Sequence, residues 1–467
     1  MQTTKADLCV IGAGSGGLSV AAGAAQMGAR VILIEKGEMG GDCLNRGCVP
    51  SKALIAAARR AHDMTRGAAF GIAPESPRVD YAAVMDHVAD TIARIAPMDS
   101  QDRFEGLGVD VIRAPARFVS PREIEAGGRR IAARRFVLAT GSAPFVPPIP
   151  GLADVPYLTS DSLWSLRERP SHLLVIGGGA IGLEMAQAHR RLGCEVTVIE
   201  AGRALGREDP EMAAIVLEQL RAEGVRILEN TPVQKVRPGP ELQAGEAVLR
   251  GSHVLVAVGR RAETGVLGLD AAGIETGPRG IRVDASLRTT NRRVHAIGDA
   301  AGGAFTHEAG YHAGLVVRRA LFALPARVRP QIVPRATYTA PELAQVGLTE
   351  AEARVKHGAR LEIHRLPWGH NDRAIAQRDT QGLLKLMAVR GRPVGVSIAG
   401  PQAGELIATW ALAMSAGLKI GAIAGAVPPY PTVAELNKRL AGTYFTSRLF
   451  ENETVKKVTG LVQRWLP

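Results

Sequence analysis

The clearest pattern of hydrophobic and polar positions is a short apolar strand that runs straight into a glycine-rich turn, and it occurs twice. Residues 8–11 precede one such turn, and residues 173–176 precede the other. A helical stretch follows each turn, and a second apolar strand follows at 30–34 or 195–199. Strands that alternate with helices in this way predict parallel sheets built from βαβ units.

The two glycine-rich turns share one internal spacing. Their members are Gly12, Gly14, Gly17 and Glu35 in the first copy, and Gly177, Gly179, Gly182 and Glu200 in the second. In each copy the acid follows the third glycine by eighteen residues. Glycine permits the tight turn, the approach of a pyrophosphate and the packing of helix on strand, while the acid can bind a ribose. The sequence therefore predicts two dinucleotide sites with chemistry between them, rather than two turns without nucleotides.

Two cysteines, Cys43 and Cys48, stand five positions apart just before an alanine-rich stretch. This stretch predicts a helix that begins at about Val49 or Pro50. One turn of backbone brings two sulfurs within bonding distance, and the positive end of the helix favours a thiolate at Cys48. The glycines before the pair and Lys52 after it favour a redox-active disulfide over two inert buried thiols.

Composition sets limits on the function. With 467 residues, 46% of them hydrophobic and 22% charged, the chain is expected to form several globular domains. Aromatic residues amount to 4%, and no basic run is interleaved with them, which disfavours nucleic-acid binding. The apolar run 406–427 contains glycines and Lys419, which favours buried helices over a membrane span. The first residues lack the apolar core of a signal peptide, so we expect a cytoplasmic protein without a membrane partner.

The segment 40–52 resembles the redox-active segment of the pyridine nucleotide–disulfide oxidoreductases, the family of dihydrolipoamide dehydrogenase, glutathione reductase and mercuric reductase. The resemblance implies that Cys43 is the interchange thiol that meets the substrate and that Cys48 faces the flavin. It also implies that Lys52 lies near the flavin ring, paired with Glu184. Asp42 departs from the threonine that is usual in this family.

Further segments resemble the family in the right order, at 135–142, 253–260, 294–300 and 400–406. The resemblance implies FAD and NAD as cofactors, with NADP less expected because Glu200 would repel a 2′-phosphate. The residues implied for FAD are Gly12, Gly14, Gly17, Glu35, Gly41, Lys52, Ala116, Thr140, Gly141, Gly298 and Asp299. Those implied for NAD are Gly177, Gly179, Gly182, Glu184, Glu200 and Gly259. No metal site is expected.

The resemblance also implies the architecture, an α/β fold with two Rossmann-like dinucleotide-binding domains and a C-terminal α+β dimerisation domain. The expected domains are FAD-binding (1–147), NAD(P)-binding (148–272), a central return segment that completes the FAD site (273–335), and the interface domain (336–467). The protein is then expected to be a homodimer.

One segment departs from the family. In dihydrolipoamide dehydrogenase and glutathione reductase, a histidine from the partner subunit handles the substrate thiol's proton, and a glutamate orients it. Here Tyr430 stands at the histidine position, while Glu435 remains. Tyrosine, with an ordinary pKa near ~10, is a poor proton carrier at neutral pH. Mercuric reductase also has tyrosine there, but its adjacent cysteines near the C-terminus are missing from this chain.

The sequence therefore predicts an FAD-dependent NAD(P)H:disulfide or dithiol oxidoreductase resembling dihydrolipoamide dehydrogenase, with a lipoyl-type substrate, free or carried on a protein. One alternative is a reductase of metal ions or quinones, since Tyr430 could complete a ligand set with Cys43. Another is a flavin-bound sensor or interaction protein without turnover. The intact cysteines and Lys52 count against that second alternative.

Overall fold

The computed structural model, which describes residues 3–466, is built around two largely parallel sheets with helices packed on them and a third, five-stranded antiparallel sheet, with smaller sheets of two or three strands beside them. The strands are β1 Thr3–Ile11, β2 Val31–Glu35, β3 Asp110–Arg113, β4 Ala116–Ser120, β5 Glu123–Ala126, β6 Arg129–Leu138, β7 Ser142–Pro144, β8 His172–Ile176, β9 Glu195–Ile199, β10 Arg226–Leu228, β11 Val233–Arg237, β12 Glu241–Ala244, β13 Ala247–Arg250, β14 His253–Val256, β15 Arg260–Ala262, β16 Thr276–Gly277, β17 Gly280–Ile281, β18 Val294–Ala296, β19 Arg335–Thr337, β20 Glu342–Gly347, β21 Glu362–Pro367, β22 Leu383–Val389 and β23 Arg392–Gly400. The helices are α1 Ser15–Gln26, α2 Gly41–Asn45, α3 Cys48–Met64, α4 Tyr81–Ile95, α5 Gln101–Gly106, α6 Ala180–Arg191, α7 Pro210–Ala222, α8 Thr306–Phe322, α9 Glu350–His357, α10 Asp372–Ala376, α11 Ala403–Ser415, α12 Ile420–Ala424, α13 Glu435–Leu449 and α14 Glu453–Trp465.

The first sheet has the strand order β3-β2-β1-β6-β5-β4, and β18 pairs with β6. Strand β1 runs parallel to both β2 and β6, and it places Cys9 opposite Ile32 and Phe136. All three side chains are buried, because a parallel strand covered on both faces reads as a continuous apolar run. Cys9 is thus the buried small residue that its apolar surroundings indicate. Strand β18 arrives from far along the chain and sets Val294 opposite Phe136.

The second sheet repeats the arrangement, with the parallel order β10-β9-β8-β14. Strands β8 and β9 fall at or within one residue of the positions that the apolar pattern predicts, and helix α6 ends at Arg191 as expected. Cys194 lies fully buried beside β9. Two sheets of βαβ type confirm the α/β class and both Rossmann-like units.

The third sheet is antiparallel, with the order β19-β20-β23-β22-β21, and helices α11, α12 and α13 share its hydrophobic core. Trp410 and Ile420 are completely buried there. The apolar run 406–427 therefore forms helices with one buried face, as predicted, although its last residue, Val427, is 90% exposed. Within residues 3–466, no helix combines the length and the apolar character needed to cross a membrane.

A buried ammonium group fastens this third sheet to the second nucleotide-binding unit. Lys385 on β22 is 2% exposed, and its Nζ lies 2.8 Å from Asp209, 2.6 Å from Glu211 and 2.9 Å from Glu350. Burial lowers the pKa of Lys385, but the three carboxylates outweigh burial and raise it. Removing one partner of such a buried pair leaves an uncompensated charge, so this contact resists separation of the two units.

The connections between the nucleotide-binding units lie side by side. Strand β7, where the chain leaves the first sheet, pairs antiparallel with β15, where it returns from the second. The predicted boundaries after residues 147, 272 and 335 stay predictions. Residues 1, 2 and 467, which the outermost predicted domains include, lie outside the described residues.

Candidate active site

The cysteine segment lies directly on the first glycine-rich turn. Gly14 pairs with Gly40 through a parallel bridge, and a Cβ on Gly41 would come within 2.7 Å of the Gly14 Cα. Gly40 and Gly41 both adopt positive φ angles, which glycine alone adopts without strain. Helix α2 then carries Cys43, and α3 begins at Cys48, one or two residues before the predicted start. The pair is therefore held close to the turn that would bind a dinucleotide.

The two cysteines, both free thiols in this structure, differ in their electrostatic surroundings. The pKa of Cys48 is lowered to about 6, first by the hydrogen bond from Cys43 and then by Thr306 and Lys52, which outweigh burial. The hydrogen bond to Cys48, followed by burial, raises the pKa of Cys43. Cys48 is consequently a thiolate at neutral pH that accepts the Cys43 S–H, at the positive end of α3.

Thr306, the first residue of α8, is a neighbour of the pair that the sequence did not single out. Its Oγ1 lies 3.5 Å from the Cys48 Sγ, and it lowers the pKa of both cysteines. Thr306 could have been found through Gly298 and Asp299, which precede α8. These two residues predict that the chain returns to the flavin site just before Thr306.

Lys52 and Glu184 form the expected ion pair, with 2.9 Å between Nζ and Oε2. Glu184 is 5% exposed, and its Oε1 accepts the backbone N–H of Tyr338 at 2.8 Å. The Lys52 Nζ also lies 4.4 Å from the centroid of the Tyr338 ring, within cation–π range. The positive charge of Lys52 on α3 is thus held by Glu184 of α6 and by Tyr338, the residue after β19.

The acids that follow the two glycine-rich turns are held in the same geometry. Glu35 accepts the N–H groups of Ala13 and Gly37, each at 2.6 Å. Glu200 accepts those of Gly178 and Gly202, at 2.7 and 2.8 Å. A carboxylate has about four acceptor positions, so each can still accept ribose hydroxyls. The acids therefore hold the turns in shape and remain available to a nucleotide.

The first and third glycines of each turn leave no room for side chains. A Cβ on Gly12 or Gly177 would meet the carbonyl of Ala139 or Ala257, and one on Gly17 or Gly182 would meet the carbonyl of the first glycine in its own turn. Gly14 and Gly179 head helices α1 and α6, where a pyrophosphate can approach free backbone N–H groups. The residues present thus fit a dinucleotide at each turn.

The remaining predicted cofactor residues lie mainly at the carboxyl edges of the two parallel sheets, which is where ligands bind in such folds. Thr140 and Gly141 follow β6, and Gly298 and Asp299 follow β18. Gly259 follows β14 in the second sheet, with φ +130°. Ala116 is the exception in position, because it is buried at the start of the antiparallel β4.

Asp299 and Asp42 belong to one polar chain that the sequence did not predict. Ser142 donates to Asp299 Oδ2 at 2.5 Å, and Arg260 donates to Ser142 Oγ at 2.8 Å. The Arg260 guanidinium also lies 2.9 Å from Asp42, the residue that departs from the family's threonine. Burial raises the pKa of Asp42, and Arg260 opposes that rise. Arg260 directly follows Gly259, one of the predicted cofactor residues. Its pairing with Asp42 could not be predicted, because the two residues are far apart in the sequence.

Tyr430 and Glu435 lie apart from the cysteines within this protomer. Tyr430 is 70% exposed and donates to Asp372 at 3.0 Å, and this hydrogen bond raises the pKa of its phenol. Among the described residues, neither cysteine has Tyr430 as a hydrogen-bond partner. Glu435 begins α13 with a buried Oε2 that accepts no hydrogen bond from a described group. Both side chains keep hydrogen-bonding capacity for groups outside the protomer.

A cavity of about 360 Å³ opens beside Cys43. Its walls include Ser15, Leu18 and Ser19 of α1, and its far side carries Asp99 and Arg103. The outward face of α1 and the charged residues around α5 are therefore candidate substrate contacts. The sequence did not indicate them, because their neighbours along the chain carry no chemical motif.

Two family profiles match the chain. "Pyridine nucleotide-disulphide oxidoreductase" matches residues 6–340, and "Pyridine nucleotide-disulphide oxidoreductase, dimerisation domain" matches residues 333–441. Together they span both nucleotide-binding units and most of the third sheet and its helices.

Individual relatives are similar over nearly the whole chain. A mercuric reductase of Streptomyces lividans is 37% identical over 95% of this chain and 97% of its own length. A dihydrolipoyl dehydrogenase of Thermus scotoductus is 38% identical, over 92% and 95%. Among solved structures, the HOCl-induced flavoprotein disulfide reductase RclA from Escherichia coli superimposes with a TM-score of 0.83 at 29% identity, covering 93% and 99%.

The contact with Thr306 predicts a pH effect. Thr306→Val keeps the shape of the side chain but removes a donor to the Cys48 thiolate, so its pKa should rise by about one unit. Titration of the long-wavelength thiolate–flavin absorption of the FAD-loaded, two-electron-reduced protein measures this. In the unaltered protein the band should fade as the pH falls through about 6.

Thr306→Ser is the matched control, because it keeps the donating hydroxyl. Its titration midpoint should stay close to that of the unaltered protein. An unshifted midpoint in the valine variant would show that Thr306 does not stabilise the thiolate.

Proposed function

Because the chain belongs to the pyridine nucleotide–disulphide oxidoreductase family, we propose that it is an enzyme in which Cys43 and Cys48 exchange electrons with a disulfide or dithiol substrate. The chain is an FAD-dependent NAD(P)H disulfide oxidoreductase, and its dimerisation domain supports a homodimer. A sensor without turnover is thereby set aside. The residue roles, the substrate and the nicotinamide preference are the proposed part.

The observation that carries the proposal is the placement of the two cysteines, because Cys48 begins α3 beside Thr306 while Cys43 lines a cavity. Bound FAD supplies the centre that relays an electron pair from the reduced nicotinamide to the cysteine disulfide. On the protein side, the hydrogen bond from Cys43, followed by Thr306 and Lys52, lowers the pKa of Cys48, while the same hydrogen bond raises the pKa of Cys43. Such a pair has one member suited to contact the cofactor and one left for the substrate.

The substrate step then balances as two thiol–disulfide exchanges. The Cys43 proton passes to Cys48 or to a base from outside the protomer, and the Cys43 sulfur attacks the substrate disulfide. A mixed disulfide forms, and the leaving substrate sulfur takes up the proton that Cys43 gave, so that it departs as a thiol and Cys48 is again a thiolate. The Cys48 thiolate next attacks the Cys43 sulfur, which restores the Cys43–Cys48 disulfide and releases the second substrate sulfur as a thiolate that takes a proton from solvent. The cavity beside Cys43 gives the substrate access.

A lipoyl-type disulfide is the leading substrate, because relatives with a dihydrolipoyl dehydrogenase name match nearly the whole chain. A soft metal ion is the second candidate, because Tyr430 replaces the histidine base and other relatives are named mercuric reductase. Within residues 3–466, no cluster of three or more His, Cys, Asp or Glu side chains could hold a metal ion. A metal substrate would therefore need Tyr430 of the partner subunit beside Cys43 and Cys48.

The nicotinamide is proposed to be NADH rather than NADPH. Glu200 is fixed by two backbone N–H groups at the second turn, so it cannot swing away from a 2′-phosphate without losing them. We expect kcat/KM for NADH to exceed that for NADPH by about tenfold or more, which is about 1.4 kcal/mol. Glu200→Gln keeps an acceptor oxygen and removes the charge, so the preference should shrink. Equal use of both nucleotides by the unaltered enzyme contradicts the proposal.

The two cysteine roles predict opposite spectra. Cys43→Ser should retain the long-wavelength band from the Cys48 thiolate to the flavin, and Cys48→Ser should lose it. Both variants should keep FAD and lose disulfide turnover, because each lacks one sulfur of the exchange. Absorption spectra and NADH-dependent assays on the two variants provide the measurement, and interchanged spectra would reverse the assignment.

Tyr430 tests the substrate class. If it only replaces a lost base, Tyr430→His should raise turnover of free dihydrolipoamide by ~10²-fold or more and lower the pH optimum. We expect a gain below ~10-fold, because the phenol reaches farther than imidazole and Pro428 and Pro429 stiffen its loop. Steady-state kinetics across pH decide this, with Tyr430→Phe as the control that removes only the hydroxyl. A gain of the larger size identifies a dehydrogenase site with a damaged base.

A further inference from the structure

A second cavity, of about 350 Å³, lies away from the cysteines. The loop before β18, the C-terminal part of α8 and the segment that follows it form its walls. Its charged lining consists of Arg288, Arg319, Arg327 and Asp284. Neither glycine-rich turn contributes to it, so it is separate from both dinucleotide sites.

The lining carries more positive charge than the protein neutralises. Asp284 accepts the backbone N–H groups of Ser286 and Arg288, at 2.7 and 3.0 Å, and the Arg288 guanidinium at 3.2 Å. Its charge is thus matched to Arg288. Arg319 and Arg327 form no ion pair with a carboxylate of residues 3–466. Two guanidinium groups therefore face one recess without a counter-charge.

A buried histidine beside this recess lacks partners as well. His295 is 2% exposed, and neither ring nitrogen has a hydrogen bond to a described group. It pairs with Arg288 across an antiparallel bridge, which puts the two side chains on one face. Burial, followed by the charges of Arg135, Arg319 and Arg288, lowers its pKa to about 4. The neutral ring keeps one N–H donor without an acceptor, and buried donors are rarely left unpaired.

We propose that this cavity binds a small phosphate-type anion, free or as part of a soluble metabolite. Guanidinium groups match the geometry of phosphate oxygens, and the two unpaired ones can offset a charge of −2 on it. The C-terminal end of α8 opposes an anion, but its partial charge of about −0.5 is small against the two guanidinium groups. The same helix begins at Thr306, which contacts Cys48, so the proposed site and the cysteine pair lie at opposite ends of one helix.

Inorganic pyrophosphate is a suitable probe, because it presents several phosphate oxygens in a small volume. Calorimetric titration should use FAD-loaded enzyme saturated with NAD⁺, so that both dinucleotide sites are filled, at constant ionic strength. We expect one further site in each protomer. Arg319→Gln should weaken it at least tenfold, and the double variant with Arg327→Gln should abolish it.

Arg318→Gln is the matched control, because Arg318 is the exposed neighbour of Arg319 on α8 and lies outside the cavity lining. Its affinity for pyrophosphate should be unchanged, and thermal melting of all variants checks that they are folded. Equal weakening by Arg318→Gln would show a general charge effect and overturn the proposal. So would binding that disappears when NAD⁺ is present, since it would belong to the nicotinamide site.

A membrane surface is the other source of phosphate groups. Sedimentation with phosphatidylglycerol vesicles that depends on Arg319, without binding of pyrophosphate, would overturn the proposal of a small soluble ligand. Binding of pyrophosphate without sedimentation supports it. Neither result requires turnover, so failure here leaves the oxidoreductase proposal untouched.

Discussion

One buried carboxylate holds together the parts that must meet at the cysteine pair. Glu184 lies on α6, the helix after the second glycine-rich turn. It binds Lys52 from α3 and the backbone of Tyr338, the residue after β19 of the third sheet. A carboxylate buried this deeply costs several kcal/mol unless it is paired. Assembly of the three parts and the charge next to Cys48 therefore depend on the same contact. Separation of any of the three parts would leave the Glu184 carboxylate either exposed to solvent or buried without a partner.

In both nucleotide-binding units, one carboxylate both shapes the glycine-rich turn and remains available to a nucleotide. In both copies the acid at the end of the second strand is fixed by backbone N–H groups of the turn and of the residues just after the strand. The turn thus has its shape before a nucleotide arrives, and binding loses less conformational entropy as a result. The same restraint keeps Glu200 in place, so the proposed preference for NADH would follow from how the turn is built.

Features with short sequence separation could be predicted, and those that join distant segments could not. The strands, the glycine-rich turns and the helix after the cysteines follow from local periodicity. The helix start is misplaced by one or two residues, β2 by one residue and the start of β1 by five. The pairing of Lys52 with Glu184 came from resemblance. Arg260 with Asp42, Thr306 with Cys48, and the burial of Lys385 depend on tertiary packing alone. A lone charged or hydroxyl residue looks the same in sequence whether it is solvated or buried.

The position of β18 affects how the protein is made. This strand completes the first sheet by pairing with β6, and Gly298 and Asp299 follow it at the edge that would hold the flavin. The whole second nucleotide-binding unit lies between β6 and β18 in the chain. During translation, well over half of the polypeptide must leave the ribosome before the first sheet can close, and that long-range pairing forms slowly. We therefore expect flavin loading to be a late step of biogenesis, after Gly298 and Asp299 have reached the edge of the first sheet.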